Sequence, residues 1–308
     1  MKFDIRLIPD YESSSLIIAP PINCNYKRVK IQNVYQSIFQ EISTEIPIVE
    51  YDPQFILAPD IWIRDFAPIP AFQNNLHKLF ISFIYKPNYI RNSEIDYINL
   101  GDDFSKSYSN YANIPLIKIP IVLDGGNLCH NGKTCIVTER ILFDNPKLSS
   151  REIRKLFLSI GIENLIIIPT EPGDITGHTD GTIRFVNQNT LVISKYNKTR
   201  KDLNNYLDSI RKQIIMESKT ELNFICLYND NPENNLKEGI PSCIGNYINF
   251  IQTKSHIIFP NYKQSEKKIR AINENALQRL GKKVLSTKQP IDSIAQYGGS
   301  LNCLVGNF

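Results

Sequence analysis

Cys303 closes the segment GGSLNC (298–303), and His178 stands two residues before Asp180 in GHTD (177–180). A thiol becomes a nucleophile as its thiolate, and a neighbouring imidazole or cation lowers its pKa. If GHTD opens a strand, positions 178 and 180 point to one side, so a single segment presents an imidazole and a carboxylate together. Asp65, in WIRDFAP (62–68), adds a second carboxylate, and nothing around either has the ligand spacing of a zinc or two-metal site. Carboxylates facing a pocket without a metal fit a cation. A guanidinium offers five donors in a planar fork, which two carboxylates can hold from two edges while its central carbon stays open to a sulfur above the plane. Each residue also has a plainer reading when taken singly. Cys303 would be small buried filler, His178 a capping or core histidine, Asp65 a partner of Arg64, and Asp124 a turn residue before Gly125-Gly126. What separates them from those readings is a shared address in a repeating order of elements.

That order is helix, strand, polar motif, hairpin, and it runs five times. In the first unit Ile31, Val34, Tyr35, Ile38, Phe39 and Ile42 share a helix face, a strand is expected over 46–51, and WIRDFAP leads to a hairpin at Asn74-Asn75. The second has a helix over 102–111, a strand over 116–122, DGGN at 124–127, and an Asn131-Gly132 pair that predicts a type I′ turn. In the third, Ser149 and Glu152 form a capping-box pair, Ile153, Leu156, Phe157 and Ile160 the apolar face, and Gly161 the stop. A strand over 165–168, GHTD and a hairpin at 187–189 follow. The fourth places Leu203, Tyr206, Leu207, Ile210 and Ile214 on a helix, then strands over 222–227 and 257–259 on either side of GNYINF (245–250). The fifth has Ile269, Ile272, Ala276 and Leu280 on its helix, a strand over 283–286, and GGSLNC, with too little chain left for a hairpin. Strands over 3–8 and 15–19 are expected to supply the missing partner and close a ring.

Alternating helices and strands ordinarily mean a doubly wound parallel sheet. A hairpin after each parallel strand argues instead for units around an axis, with the motifs converging on one pocket. The residues they bring are Trp62, Arg64, Asp65, Asp124, Asn127, His178, Asp180, Asn249 and Cys303, with Gly299 beside the cysteine.

Composition limits the alternatives. The 308 residues are 42% hydrophobic and 21% charged, ordinary for a globular protein, which excludes a disordered chain, a coiled coil and a collagen-like fibre. A formal net charge of +4 with no clustered Lys/Arg stripe argues against nucleic acid and anionic membrane as partners; the densest basic run, 263–270, reads as the polar face of a helix. The charged start MKFDIRLIPD is unlike a secretory signal, and no apolar run is long enough to span a bilayer, so the chain is expected to be soluble and cytoplasmic. Its six cysteines have no CxxC spacing and are expected to be thiols.

At these motifs the sequence resembles the agmatine deiminase and bacterial peptidyl-arginine deiminase family of the guanidine-modifying superfamily. The resemblance rests on W-x-R-D-x-x-P (62–68), G-G-N (125–127), G-H-x-D (177–180), Y-x-N-F (247–250) and G-G-x-x-x-C (298–303), in order along the whole chain. It implies a pentein-type five-bladed α/β propeller with pseudo-five-fold ββαβ repeats around a central active-site pocket, as one deiminase domain over 1–308. It also implies roles: Cys303 as nucleophile, His178 as acid and then base, Asp65 and Asp180 as guanidinium clamps. Trp62, Arg64, Asp124, Asn127, Asn249 and Gly299 would contact substrate. A covalent thiouronium would be hydrolysed to a ureido product with no cofactor and no metal. The chain departs from the family at three points: Asp124 where Glu is usual before G-G-N, Asn302 where His commonly precedes the cysteine, and an earlier end at Phe308. By strand alternation Asn302 should point away from Cys303.

Among small guanidino substrates agmatine is the leading expectation, with Trp62 and Asp124 as candidates to meet its amine tail. Peptidyl arginine and free arginine are the close alternatives; the latter would need Arg64 or Arg184 for its carboxylate, unless both are buried ion-pair members. An amidinotransferase would use the same cysteine, histidine and carboxylates. A silent binding protein would have lost one of them, and a papain-like Cys–His–Asn amidase would ignore guanidino compounds. Nothing in the sequence fixes the oligomeric state, and a homo-oligomer is compatible with it.

Overall fold

The structure, a computed structural model, describes residues 4–19, 29–49, 51, 56–90, 96–229, 236–237, 239–263 and 267–308. Phe3, Cys24, position 50 and residues 264–266, all used in the sequence reading, lie outside these.

The fold is a mixed α/β arrangement in which one connectivity recurs five times. A polar motif leads into an antiparallel strand pair, a helix crosses over, and the next strand pairs in parallel with the second strand of the hairpin. After 62–68, Ile69–Gln73 pairs antiparallel with His77–Ile84, the helix Tyr97–Ala112 follows, and Leu116–Val122 returns parallel. After 124–127, Cys129–His130 and Thr134–Thr138 form the hairpin, and Asn164–Ile168 lies parallel beyond the helices Arg140–Asp144 and Ser150–Ser159. After 177–180 come Ile183–Asn187, Thr190–Lys195, the helix Lys201–Glu217 and Asn223–Tyr228. After 245–250 come Ile251–Gln252, His256–Phe259, the helix Lys267–Gln278 and Lys283–Ser286.

The last hairpin is shared between the two ends of the chain. Val305–Asn307 pairs antiparallel with Leu16–Ile18, the helix Val29–Ser43 follows in sequence, and Leu16 bridges Ile48 in parallel. Of the two N-terminal strands expected to complete this unit, only the second does so. Ile5–Leu7 instead adds a fourth strand to the first sheet, antiparallel to Ile69–Gln73.

Local chemistry explains most of these elements. Ser149 accepts from the Glu152 amide and Glu152 returns the bond to the Ser149 amide, satisfying two of the free donors at that helix start. Ile31, Tyr35, Ile38, Phe39 and Ile42 are buried while Gln32 and Gln40 are not, the helical stripe their spacing dictates. Asn74 and Asn75 both adopt positive φ, as a primed turn needs. The Asn131-Gly132 turn differs from expectation. Gly132 has φ +90° and Asn131 is not left-handed; Asn131 instead precedes the turn, accepting the Lys133 and Thr134 amides on its side-chain oxygen. A side chain that closes the turn from outside needs no positive φ of its own. The short helices Arg140–Asp144 and Asp292–Ala295 and the strand pair Leu236–Lys237/Ile240–Pro241 have no counterpart in the sequence reading.

Candidate active site

The polar motifs are not strands but tight turns that precede them. Residues Ile63–Asp65, Gly125–Asn127 and Asn302–Leu304 each make one turn of 3-10 helix, and GHTD is an irregular segment ending before Ile183. The expectation that His178 and Asp180 share a side by strand alternation therefore does not hold. They face a common cleft because the loop around them is pinned. Asp174 accepts the His178 amide at 3.2 Å, the Asp180 amide donates to the Gly126 carbonyl at 3.1 Å, and the Thr179 hydroxyl donates to the same carbonyl at 3.2 Å.

Cys303, His178 and Asp180 line one cleft of about 130 Å³. The Cys303 thiol donates to Asn249 Oδ1 at 3.4 Å and lies 3.9 Å from Asp180 Oδ2. Asn249 Oδ1 also accepts the Asn302 and Cys303 amides at 2.9 and 3.3 Å, so one buried amide oxygen organises the whole turn under the sulfur. Burial drives the Cys303 thiol well above its ordinary pKa, and the Asp180 and Asp65 carboxylates push it further. At rest the sulfur is a thiol.

His178 is held between two carboxylates. Its Nε2 donates to Asp124 Oδ2 at 3.2 Å, its Nδ1 lies 3.8 Å from Asp65 Oδ1, and the Tyr89 ring meets it edge-on at 5.9 Å. Burial opposes its charge, but Asp65, followed by Asp124 and Asp180, outweighs burial and lifts the pKa to about 10. Neutral solution therefore leaves an imidazolium. Burial, opposed by His178 and helped by the neighbouring carboxylates, raises Asp65. Asp65 Oδ1 accepts the Gly126 amide at 3.1 Å. A Cβ on Gly126 would stand 2.5 Å from His178 Nδ1 and 2.9 Å from Asp65 Oδ1, so only glycine lets the chain pass so close to the imidazole.

The remaining expected contacts fall elsewhere. Asp124 is spent on His178 and is not at the tail of the cleft. Asn127 is buried and accepts the Thr138 amide at 2.8 Å, tying its motif to the following hairpin. Gly299 packs under Trp62, whose ring would be 2.2 Å from an added Cβ, and neither lines the cleft. Arg64 points beneath the site. It donates to Asp10 Oδ1 at 3.1 Å, to Asn302 Oδ1 at 2.9 Å and to Asn307 Oδ1. Arg184 donates to the other Asp10 oxygen at 2.7 Å and sits 4.6 Å from the centre of the Phe250 ring. Both arginines are thus members of a buried ion-pair group, with Asp10 held below the ordinary carboxylate range because the two cations outweigh its burial.

Sequence reading missed part of the cleft lining. Glu171 belongs to it and accepts the Tyr196 hydroxyl at 2.6 Å and the Thr182 hydroxyl at 2.8 Å, with burial raising its pKa. Asp174, Arg200 and Asn246 line the same cleft. The only hint in the sequence is the acidic pair at 171 and 174 just before GHTD. Among the described residues no group of three or more His, Cys, Asp or Glu is arranged to hold a metal ion, no helix is long and apolar enough to cross a membrane, and Cys129, Cys135, Cys226, Cys243 and Cys303 are free thiols.

Comparison with known proteins follows the same lines. The structure is similar to C. jejuni agmatine deiminase, with a TM-score of 0.79 at 18% identity over 99% of this chain and 96% of that one. It is similar to the agmatine deiminase of Enterococcus faecalis, with a TM-score of 0.80 at 16% identity over 99% and 95%. A dimethylarginine dimethylaminohydrolase matches more distantly, at TM-score 0.56 and 12% identity over 96% and 100%. No curated protein matches at the level of sequence. The family model for Porphyromonas-type peptidyl-arginine deiminase matches residues 10–307. The chain belongs to that family, whose deiminases hydrolyse the C–N bonds of amidines.

Proposed function

We propose that the protein is a guanidine deiminase acting on a small cationic substrate, with agmatine, hydrolysed to its ureido product and ammonia, the best fit. The observation that carries this reading is the opening of Cys303, His178 and Asp180 onto one cleft, with the Asp65 carboxylate behind the imidazole.

In this reading the guanidinium enters between Asp180 and the sulfur. Its positive charge offsets the burial and the carboxylates that keep Cys303 protonated, and the thiol releases its proton to solvent as the cation binds, a proton regained when the released ammonia becomes ammonium. The Sγ–carbon bond forms; the carbon–nitrogen bond then breaks as His178, already an imidazolium, protonates the departing ammonia. The imidazole left behind takes a proton from water, whose oxygen attacks the thiouronium carbon. The carbon–sulfur bond breaks, and the ureido product leaves with the thiol restored. Asp124 and Asp65 keep the imidazole charged for the first half of the cycle. No step requires a cofactor. The five recurring hairpin units support a five-bladed propeller, with residues 1–308 as one deiminase domain.

Glu171 favours the amine tail of agmatine, since a carboxylate held by two hydroxyls in the lining of the same cleft suits an ammonium. A second reading rests on Arg200, which lines the same cleft and suits a carboxylate-bearing arginine. The test is kcat/KM for agmatine, free arginine and an arginine peptide, with Glu171→Gln alongside. Agmatine preferred, and weakened at least tenfold in the variant alone, supports the first; preference for either arginine supports the second.

A further inference from the structure

We infer that Asn302 is a positioning residue: its side-chain amide holds the Asp180 carboxylate in place to meet the guanidinium N–H groups, and Arg64 locks that amide in the only orientation that can do so. The inference rests on the deiminase reading. The contacts are specific. Asn302 Nδ2 donates to Asp180 Oδ2 at 2.7 Å, Asn302 Oδ1 accepts from Arg64 Nη2 at 2.9 Å, and the Asn302 carbonyl accepts Arg64 Nε at 3.3 Å. A guanidinium has donors and no acceptor. The amide end facing Arg64 must therefore be the oxygen, and the end facing Asp180 must be the NH₂; the neighbours fix the flip.

Arg64 is in turn held by Asp10 and Asn307, and Asp10 by Arg184, so the amide is braced from below by a buried ion-pair group. The Asp180 oxygen that takes this bond is also the one 3.9 Å from Cys303 Sγ. With Oδ2 held by the Asn302 amide, the other carboxylate oxygen is left for substrate. Asn302 itself is 2% exposed and lines a separate cavity of about 50 Å³ beneath the site, so it acts through Asp180 rather than on substrate.

Two variants separate positioning from packing. Asn302→Ala removes the donor and leaves Asp180 unheld. Asn302→Asp keeps the volume and the Arg64 contact but replaces the amide donor with a second carboxylate, which either repels Asp180 or holds it through a shared proton; neither reproduces the amide's grip on Oδ2. The readout is alkylation of Cys303 by a haloacetamidine, a planar amidinium, against iodoacetamide, which is neutral, with kcat and KM for agmatine measured in parallel. Unmodified protein should react at least tenfold faster with the cation. Both variants should lose most of that preference, keep their iodoacetamide rate within about threefold, and show a lower kcat and a higher KM. Should Asn302→Ala not fold, the isosteric Asn302→Asp carries the measurement. An undiminished preference in a folded variant would overturn the assignment. Equal rates in the unmodified protein would overturn the deiminase reading itself and the assignment with it.

Discussion

Asp124 Oδ2 lies 3.2 Å from His178 Nε2, so the shorter carboxylate at this position still reaches the imidazole. The consequence is an acid ready in the resting protein. Asp124→Asn should lower the His178 pKa from about 10, shift the alkaline limb of the kcat profile to lower pH, and cut kcat about 10²-fold. A pH–rate profile that keeps its alkaline limb would show that Asp124 does not set the imidazole charge.

The same charge leaves a mark on stability. His178 titrates near 6.5 when unfolded and near 10 when folded, so its stabilisation is complete below about 6.5 and lost as pH rises toward 10. The melting temperature of the unmodified protein should exceed that of His178→Gln most at pH 6.5, with the gap closing toward pH 10. A gap independent of pH would mean that packing, and not charge, is what the histidine contributes.

Gly126→Ala would drive a methyl into the space between His178 Nδ1 and Asp65 Oδ1, where an added Cβ stands at 2.5 and 2.9 Å. Moving a catalytic group by about 1 Å can cost about 10²-fold in rate. The expected outcome is a loss of that order in kcat with the fold retained by circular dichroism. Near-normal activity would show that the imidazole has room to move without losing its function.

Asp65→Asn removes one of the carboxylates that keep the buried His178 imidazolium charged. Leaving a buried charge without its partner costs about 3–5 kcal/mol, so kcat/KM should fall by at least about 10²-fold. Steady-state kinetics on agmatine check this, and a change under threefold would place Asp65 outside the chemistry.

Much of the fold was legible because its signals are local. Capping at Ser149 and Glu152, the apolar stripe from Ile31 to Ile42, and the paired asparagines at 74–75 act within a few residues of themselves. Which N-terminal strand completes the last hairpin was not, since Leu16–Ile18 meets Val305–Asn307 across almost the whole chain and no local pattern encodes that distance. In the site, the residue types of Cys303, His178, Asp65 and Asp180 were readable, but not their directions. GHTD and GGSLNC proved to be turns, in which a two-residue period has no meaning. The choice between substrate contact and a buried ion pair for Arg64 was not legible, because its partner Asp10 sits in a stretch with no motif of its own. Strand alternation does not apply to Asn302 either: it lies in a 3-10 turn with Arg64 and Asp180 as neighbours, and its side chain meets the same Asp180 oxygen that approaches the Cys303 sulfur.

The most direct test of the central claim is colorimetric detection of ureido product from agmatine by the purified protein, with Cys303→Ala, Cys129→Ala and Cys226→Ala alongside. The account predicts product with the unmodified protein, none with Cys303→Ala, and most of it with the other two, whose thiols lie outside the cleft. Activity that survives in Cys303→Ala and is lost in Cys129→Ala would contradict the assignment of the nucleophile.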